Sequence, residues 1–276
     1  METREIRLAG RKKLTYRVTG EGPVVVLLHG FAEDGLIWEN QYTGIDGYRF
    51  LVPDLPGSGQ SDLIGDMSME GLASAVQEMV RAELPSDKQL KISLIGHSMG
   101  GYITLAFAEK FPEWLNGFGL FHSTAFADTP EKKEARQKGI EFIQKQGVEA
   151  FLQPTIANLY ASETRAHRPE LLEEHLKRVY NFSDAALVSY YESMMGRPDR
   201  THILKQSKVP VLFILGKWDN AVPVFDGLKQ GHLPEICYIH ILEHSGHMGM
   251  REEKEQSNTF ISNYLTNLQN RIKPVI

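Results

Sequence analysis

A chain of 276 residues with a hydrophobic share of 42% can bury a sizeable core as one domain, or as one domain carrying an insertion, which argues against disorder. The 30 Lys and Arg against 35 Asp and Glu leave a net charge of −5 with no long basic block, which argues against nucleic acid as a partner. The longest purely apolar stretch, residues 23–28, is far short of the roughly 20 residues of a membrane span.

The opening residues Met1-Glu2-Thr3-Arg4 lack the apolar centre of a signal peptide, so a cytoplasmic location is expected. The single cysteine, Cys237, excludes an internal disulfide and a cysteine-rich metal site, and it reads as a small buried apolar residue on a strand. In chain order, residues 4–8 and 14–18 alternate polar and apolar side chains, as a half-exposed antiparallel hairpin at a sheet edge does. Short β-branched runs bounded by turn residues follow at 24–28, 49–52, 90–95, 117–121, 209–215 and 237–241, and read as buried strands. Helical patterns at 69–84 and 101–111 lie between several of them. The alternation predicts an α/β fold: a mainly parallel, eight-stranded sheet with helices on both faces.

From 124 to 200 the strand signals stop and amphipathic helical patterns take over. This segment is expected to be a helical lid insertion in a core domain made of residues 1–123 and 201–276. Mixed-sign runs within it, such as Glu131-Lys132-Lys133-Glu134, read as solvated helix faces. Residues 256–268 read as a closing helix with Phe260, Ile261, Tyr264 and Leu268 on one face.

The segment Gly96-His97-Ser98-Met99-Gly100 follows an apolar run and precedes Leu105-Ala106-Phe107-Ala108, which places Ser98 in a strand–turn–helix setting. Such a turn strains the serine backbone, and a glycine two residues to either side avoids the clash. A serine hydroxyl is a poor nucleophile until a base takes its proton, so a histidine oriented by a carboxylate is required. Asp219, in Gly216-Lys217-Trp218-Asp219, follows one predicted strand, and His244 and His247, in Glu243-His244-Ser245-Gly246-His247, follow the next. Asp219 has a second reading, as a turn residue bonding nearby backbone amides.

With these motifs and two more, His29-Gly30-Phe31 and Asp54-Leu55-Pro56-Gly57-Ser58-Gly59-Gln60-Ser61, the chain resembles the α/β hydrolase family, in particular its lid-bearing serine esterase and carbon–carbon hydrolase branch. The resemblance implies a cofactor-free enzyme with Ser98 as nucleophile, Asp219 as acid and His247, rather than His244, as base. It further implies an oxyanion hole from the backbone amides of Met99 and Phe31. His29 is expected to fix the loop, and the single glycine there makes bulky tertiary-alcohol esters doubtful substrates. Arg197-Pro198-Asp199 resembles the family's exit from the lid. No metal is expected, because no His-Glu-x-x-His or paired-cysteine spacing occurs, and the glycines of 54–61 lack the Gly-Lys-Ser/Thr ending of a phosphate loop.

Candidate pocket residues are His29, Gly30, His122, Phe151, Tyr190 and Met194, within a wider lid set of Phe142, Leu152, Ile156, Tyr160, Tyr191 and Met195, most of which are expected to pack lid against body. The first expectation is hydrolysis of small to medium apolar carboxylic esters through an acyl-serine. The alternatives are cleavage of a carbon–carbon bond beside a carbonyl, with Arg165, Arg168 or Arg178 clamping a carboxylate, and a peracid-forming haloperoxidase-like activity. A non-catalytic ligand-binding receptor is a further reading. The expected partner is a small-molecule substrate, and the expected assembly a monomer or homodimer.

Overall fold

The structure, a computed structural model, describes residues 1–84, 90–179 and 182–272. Its strands are β1 (Glu2–Arg7), β2 (Lys13–Thr19), β3 (Val24–Leu28), β4 (Arg49–Pro53), β5 (Ile92–His97), β6 (Leu115–Phe121), β7 (Val211–Gly216) and β8 (Cys237–Leu242). They form one eight-stranded sheet in the order β1-β2-β4-β3-β5-β6-β7-β8. The β1–β2 and β2–β4 pairs are antiparallel and the rest parallel. From β3 the chain moves outward to β4, then returns to place β5 on the other side of β3. That reversal opens a crevice beyond the carboxyl ends of β3 and β5, where ligands of open α/β sheets bind.

The helices are α1 (Glu39–Gly44), α2 (Met69–Glu83), α3 (Met99–Lys110), α4 (Pro130–Gln146), α5 (Val148–Ala157), α6 (Ser162–His167), α7 (Pro169–Val179), α8 (Asp184–Gly196), α9 (Thr201–Gln206), α10 (Val224–Leu228), α11 (Gly249–Glu252) and α12 (Lys254–Ile272). Helices α4 to α8 fall within the helical segment read from the sequence at 124–200, and together with α9 they separate β6 from β7. Every residue of β3 is buried, as a continuous Val/Leu run covered on both faces should be. Helix α3 is buried from Met99 to Ala108 because it packs on β5 and β6 and is covered by α2. Helix α2 starts at a Ser68 cap whose Oγ accepts from the Gly71 N–H at 3.1 Å. In α12, Ile261, Tyr264 and Leu268 are buried and Phe260 is partly so.

Three details differ from the sequence reading, the first being β8, read as a buried strand but lying at the sheet edge with only Leu242 buried. The hairpin is not half-exposed throughout: β1 is the edge, whereas the central residues of β2 are buried because β4 pairs on its other side. Strand β5 starts at Ile92 rather than at residue 90, since Leu90 remains 45% exposed outside the sheet, and it continues to His97, directly before the serine. Among the described residues, no helix is long and apolar enough to cross a membrane.

Candidate active site

Ser98 sits between β5 and α3 with φ +51° and ψ −115°, a conformation that costs a non-glycine residue of order 1–3 kcal/mol. The turn survives because its surroundings fix it. The Ser98 N–H donates to the Phe121 carbonyl at 2.9 Å, and its carbonyl accepts from Ser123 Oγ at 2.7 Å and from the Gly101 N–H at 2.9 Å. The flanking glycines answer close approach: a Cβ on Gly96 would lie 2.1 Å from the Gly100 carbonyl oxygen, and one on Gly100 would lie 2.5 Å from that of Leu28. Only glycine fits either position.

Asp219 lies in the turn after β7, where one carboxylate oxygen bonds nearby backbone amides and the other faces a histidine. Its Oδ1 accepts the N–H groups of Ala221 and Val222, each at 2.8 Å, while its Oδ2 faces His247 Nδ1 at 2.7 Å. The turn bonds therefore aim the carboxylate at the histidine. His247 follows β8 and is held at its backbone: its N–H donates to Leu159 O at 2.6 Å, and its carbonyl contacts His97 Nε2 at 2.9 Å. With Nδ1–H committed to Asp219, the lone pair belongs to Nε2. His244 is exposed on the same loop and engages Glu253 through its own N–H, so the structure brings His247, not His244, to Asp219.

Burial alone would push the Asp219 carboxyl up, but the His247 imidazole, aided by His122, holds it well below the usual carboxylate range. Burial likewise pulls His247 down, and the Asp219 carboxylate, with smaller help from Glu33 and Glu252, more than offsets it, so its pKa is raised.

Ser98 and His247 line one cavity of about 160 Å³, together with Phe31, Glu33, Tyr102, Arg136, Thr155, Leu159, Tyr191, Met194, Ala221 and Val222. Phe31 stacks on Tyr191 with ring centroids 4.4 Å apart. The loop carrying Gly30 and Phe31 passes directly over the serine, since a Cβ added to Gly30 would be 3.2 Å from Ser98 Cβ. Met99 is the first residue of α3, so its N–H is one of the groups a helix start leaves free.

Of the other pocket candidates, Met194 lines the cavity, and the remaining five lie behind its wall. His29 fixes the loop, its Nε2 accepting from the Leu55 N–H at 2.9 Å. Gly30 N–H donates to Glu33 Oε2 at 2.6 Å. Tyr190 turns its hydroxyl to Ser58 Oγ at 2.8 Å and Pro56 O at 2.6 Å, and Phe151 packs edge-on against Tyr191. His122 is fully buried behind Asp219.

None of the three arginines weighed as carboxylate clamps lines the cavity. Arg165 is exposed, Arg168 donates to Glu252 O, and Arg178 reaches Leu36 O and Glu39. The cation that does line it is Arg136 of α4, which the sequence hid inside a mixed-charge run. Its Nε donates to Asp128 Oδ2 at 2.7 Å, and Arg197 also pairs with that buried carboxylate, at 2.9 Å. Two guanidinium groups thus share one carboxylate, and of the two only Arg136 lines the cavity. Glu33 was missed as well. It is buried, accepts from the Gly30 N–H, and meets His97 Nδ1 at 2.9 Å, which links the loop over the serine to the serine turn. Burial pushes Glu33 up, but His97 and His175 win and hold it at about 2.

His122, Asp219 and His247 place three ligand-type atoms within 4.8 Å of one another, yet both imidazoles turn Nδ1 to the same carboxylate oxygen. Of the two, His247 Nδ1 is hydrogen-bonded to that oxygen at 2.7 Å, whereas His122 Nδ1 stands 3.2 Å from it without an aligned hydrogen bond.

This fold and this serine turn define a class of protein, and comparison with known families agrees: the family model for the alpha/beta hydrolase fold matches residues 23–253. The chain belongs to the alpha/beta hydrolase fold family. Among curated proteins it is similar to a 2-hydroxy-6-oxononadienedioate/2-hydroxy-6-oxononatrienedioate hydrolase of Burkholderia vietnamiensis, 27% identical over 92% of this chain and 91% of that protein. It is equally similar, at 27% identity over 91% and 90% of the two chains, to a 2-hydroxy-6-oxo-6-phenylhexa-2,4-dienoate hydrolase of Comamonas testosteroni. Among solved structures, a malate-bound thermophilic esterase from Thermogutta terrifontis superimposes with a TM-score of 0.87 at 28% identity, over 97% of this chain and 99% of that one.

Proposed function

We propose that this chain is a serine hydrolase in which Ser98 attacks a carbonyl carbon, His247 takes and returns the proton, and Asp219 holds the His247 tautomer. The observation that carries the reading is the meeting of Ser98 and His247 in one cavity, with Asp219 2.7 Å from His247 Nδ1. The amides of Met99 and Phe31 are the donors for the oxyanion, each worth roughly 10²- to 10³-fold in rate. Helices α4 to α8 act as the lid, because the carbonyl of Leu159 ties the loop of His247 to that segment.

Of the bonds such a site can break, the curated relatives favour a carbon–carbon bond beside a ketone, in a substrate that also carries a carboxylate. Arg136 on the cavity wall fits that charge. A carbon leaving group must delocalise its electron pair, which a conjugated dienoate provides. Ester hydrolysis, the first expectation from sequence, is the second reading, supported by the esterase of similar fold and identity.

The test is a paired assay of a 2-hydroxy-6-oxo-dienoate and a series of p-nitrophenyl esters from acetate to decanoate, with Ser98→Ala as control. Turnover of the dienoate, lost in the variant, supports the first reading, and turnover of esters alone supports the second. Turnover of neither, or full activity in Ser98→Ala, would sink both.

A further inference from the structure

The buried imidazole behind Asp219 has no part in the triad as described. His122 directly follows β6 with φ +49°, a left-handed conformation uncommon outside glycine, and it is fully buried. Space for the ring is made by two glycines, one ending β7 and one starting α11: a Cβ on Gly216 would lie 2.7 Å from His122 Cε1, and one on Gly249 would lie 2.5 Å from His122 Nε2. Its Nε2 accepts the Gly249 N–H at 3.3 Å, so that atom is bare and the proton resides on Nδ1. Among the described residues Nδ1 has no aligned hydrogen-bond partner, and it lies 3.2 Å from Asp219 Oδ2, the same oxygen that receives His247 Nδ1.

We infer that His122 is a positioning residue for the reaction: as a neutral imidazole it presents Nδ1–H to Asp219 Oδ2 and so fixes the place and the charge of the oxygen on which His247 turns. This rests on the proposed Ser98–His247–Asp219 mechanism. The groups facing His122 are Asp219 from the loop after β7, His247 from the loop after β8, with ring centroids 5.7 Å apart, and His97 from the end of β5, at 6.0 Å. Burial pushes His122 down to about 4 against the pull of Asp219, which favours the neutral ring at neutral pH. A neutral donor shares the carboxylate without adding a charge beside His247. It therefore lowers the attraction of Asp219 for the His247 imidazolium while holding the carboxylate in line.

The experiment compares His122→Leu, which removes the donor, with His122→Asn, whose amide can donate from nearly the same place and whose backbone tolerates positive φ. In His122→Leu, kcat per titrated active site should fall about 10- to 100-fold with KM little changed, as expected when a reacting group is slightly misplaced. The acid limb of its pH profile should move up by about 0.5–1 unit, because Asp219 then holds the His247 proton more tightly. His122→Asn should restore most of both. A purely structural role would lower the titre of active sites and leave the limb in place, which would overturn the inference, as would a wild-type profile in His122→Leu.

Should His122→Leu not fold, ring-¹⁵N histidine NMR of the unaltered protein decides, with the His122 signals assigned by their loss in His122→Asn. A neutral His122 ring protonated at Nδ1 between pH 6 and 8 supports the inference, and a bare Nδ1 or a charged ring overturns it. Labelling of Ser98 by a fluorophosphonate in wild type keeps this outcome separate from failure of the underlying mechanism.

Discussion

Asp219→Asn removes a charge but keeps the shape of the turn, so it isolates what the carboxylate does. Oδ1 accepts two backbone N–H groups at 2.8 Å, and only the amide oxygen of Asn can replace it there. The amide nitrogen is then forced into the Oδ2 position, with one of its protons facing His247 Nδ1 across what is a 2.7 Å contact in the wild type. A donor opposite a donor is repulsive, so His247 moves its proton to Nε2, the atom that must take the proton of Ser98. Serine hydrolases that lose the carboxylate in this way lose about 10⁴ in kcat, roughly 5 kcal/mol of barrier at 1.36 kcal/mol per tenfold. The measurement is kcat on protein counted by active-site titration, with thermal unfolding as the control that the turn is intact. A kcat within tenfold of wild type, in folded protein, would refute the geometry assigned to Asp219.

Three further outcomes follow from the charges around the site. His247 must be neutral to act as base, and its raised pKa places the acid limb of kcat/KM above the 6.5 of an ordinary imidazole, so a midpoint below that value would contradict the Asp219 contact. Stability should fall with acid. Burial depresses His122 to about 4 and His175 to about 3, so the stability they confer is complete above pH 6.5 and is lost as the pH drops toward those values. Each loses about 2 kcal/mol between pH 7.5 and 5, opposed by His247, whose raised pKa works the other way, and urea midpoints that do not move across that interval would refute the buried neutral state. Finally, Arg136→Gln leaves Asp128 its Arg197 partner but removes the cavity cation. It should cut kcat/KM for a carboxylate-bearing substrate about tenfold or more while sparing an uncharged ester of equal length, and an equal loss on both would show that Arg136 does not meet the substrate.

The parts of this protein legible in sequence are those written locally. The β3 run reads directly because a strand covered on both faces needs no polar residue, and the serine turn reads because Gly96 and Gly100 have no room for a side chain. Asp219 and His247 could be placed because each follows a strand in the expected order. Arg136 could not: it sits among the exposed neighbours Lys133, Glu134 and Lys138, and what singles it out is Tyr191 of α8 folding back, with its ring 5.4 Å from the guanidinium. His122 was placed toward the pocket because it ends a strand, whereas its left-handed backbone turns the ring behind Asp219. The arginines of α6 and α7 were indistinguishable from Arg136 until the helices had packed. In each case the missing information was a contact between residues far apart in the chain.

The claim on which all of this depends is that Ser98 is the nucleophile, and intact-mass analysis after exposure to a fluorophosphonate tests it most directly. One adduct per chain, mapped to Ser98, absent in Ser98→Ala and strongly slowed in Asp219→Asn, is the expected result. No adduct, or an adduct that persists in Ser98→Ala, would contradict it.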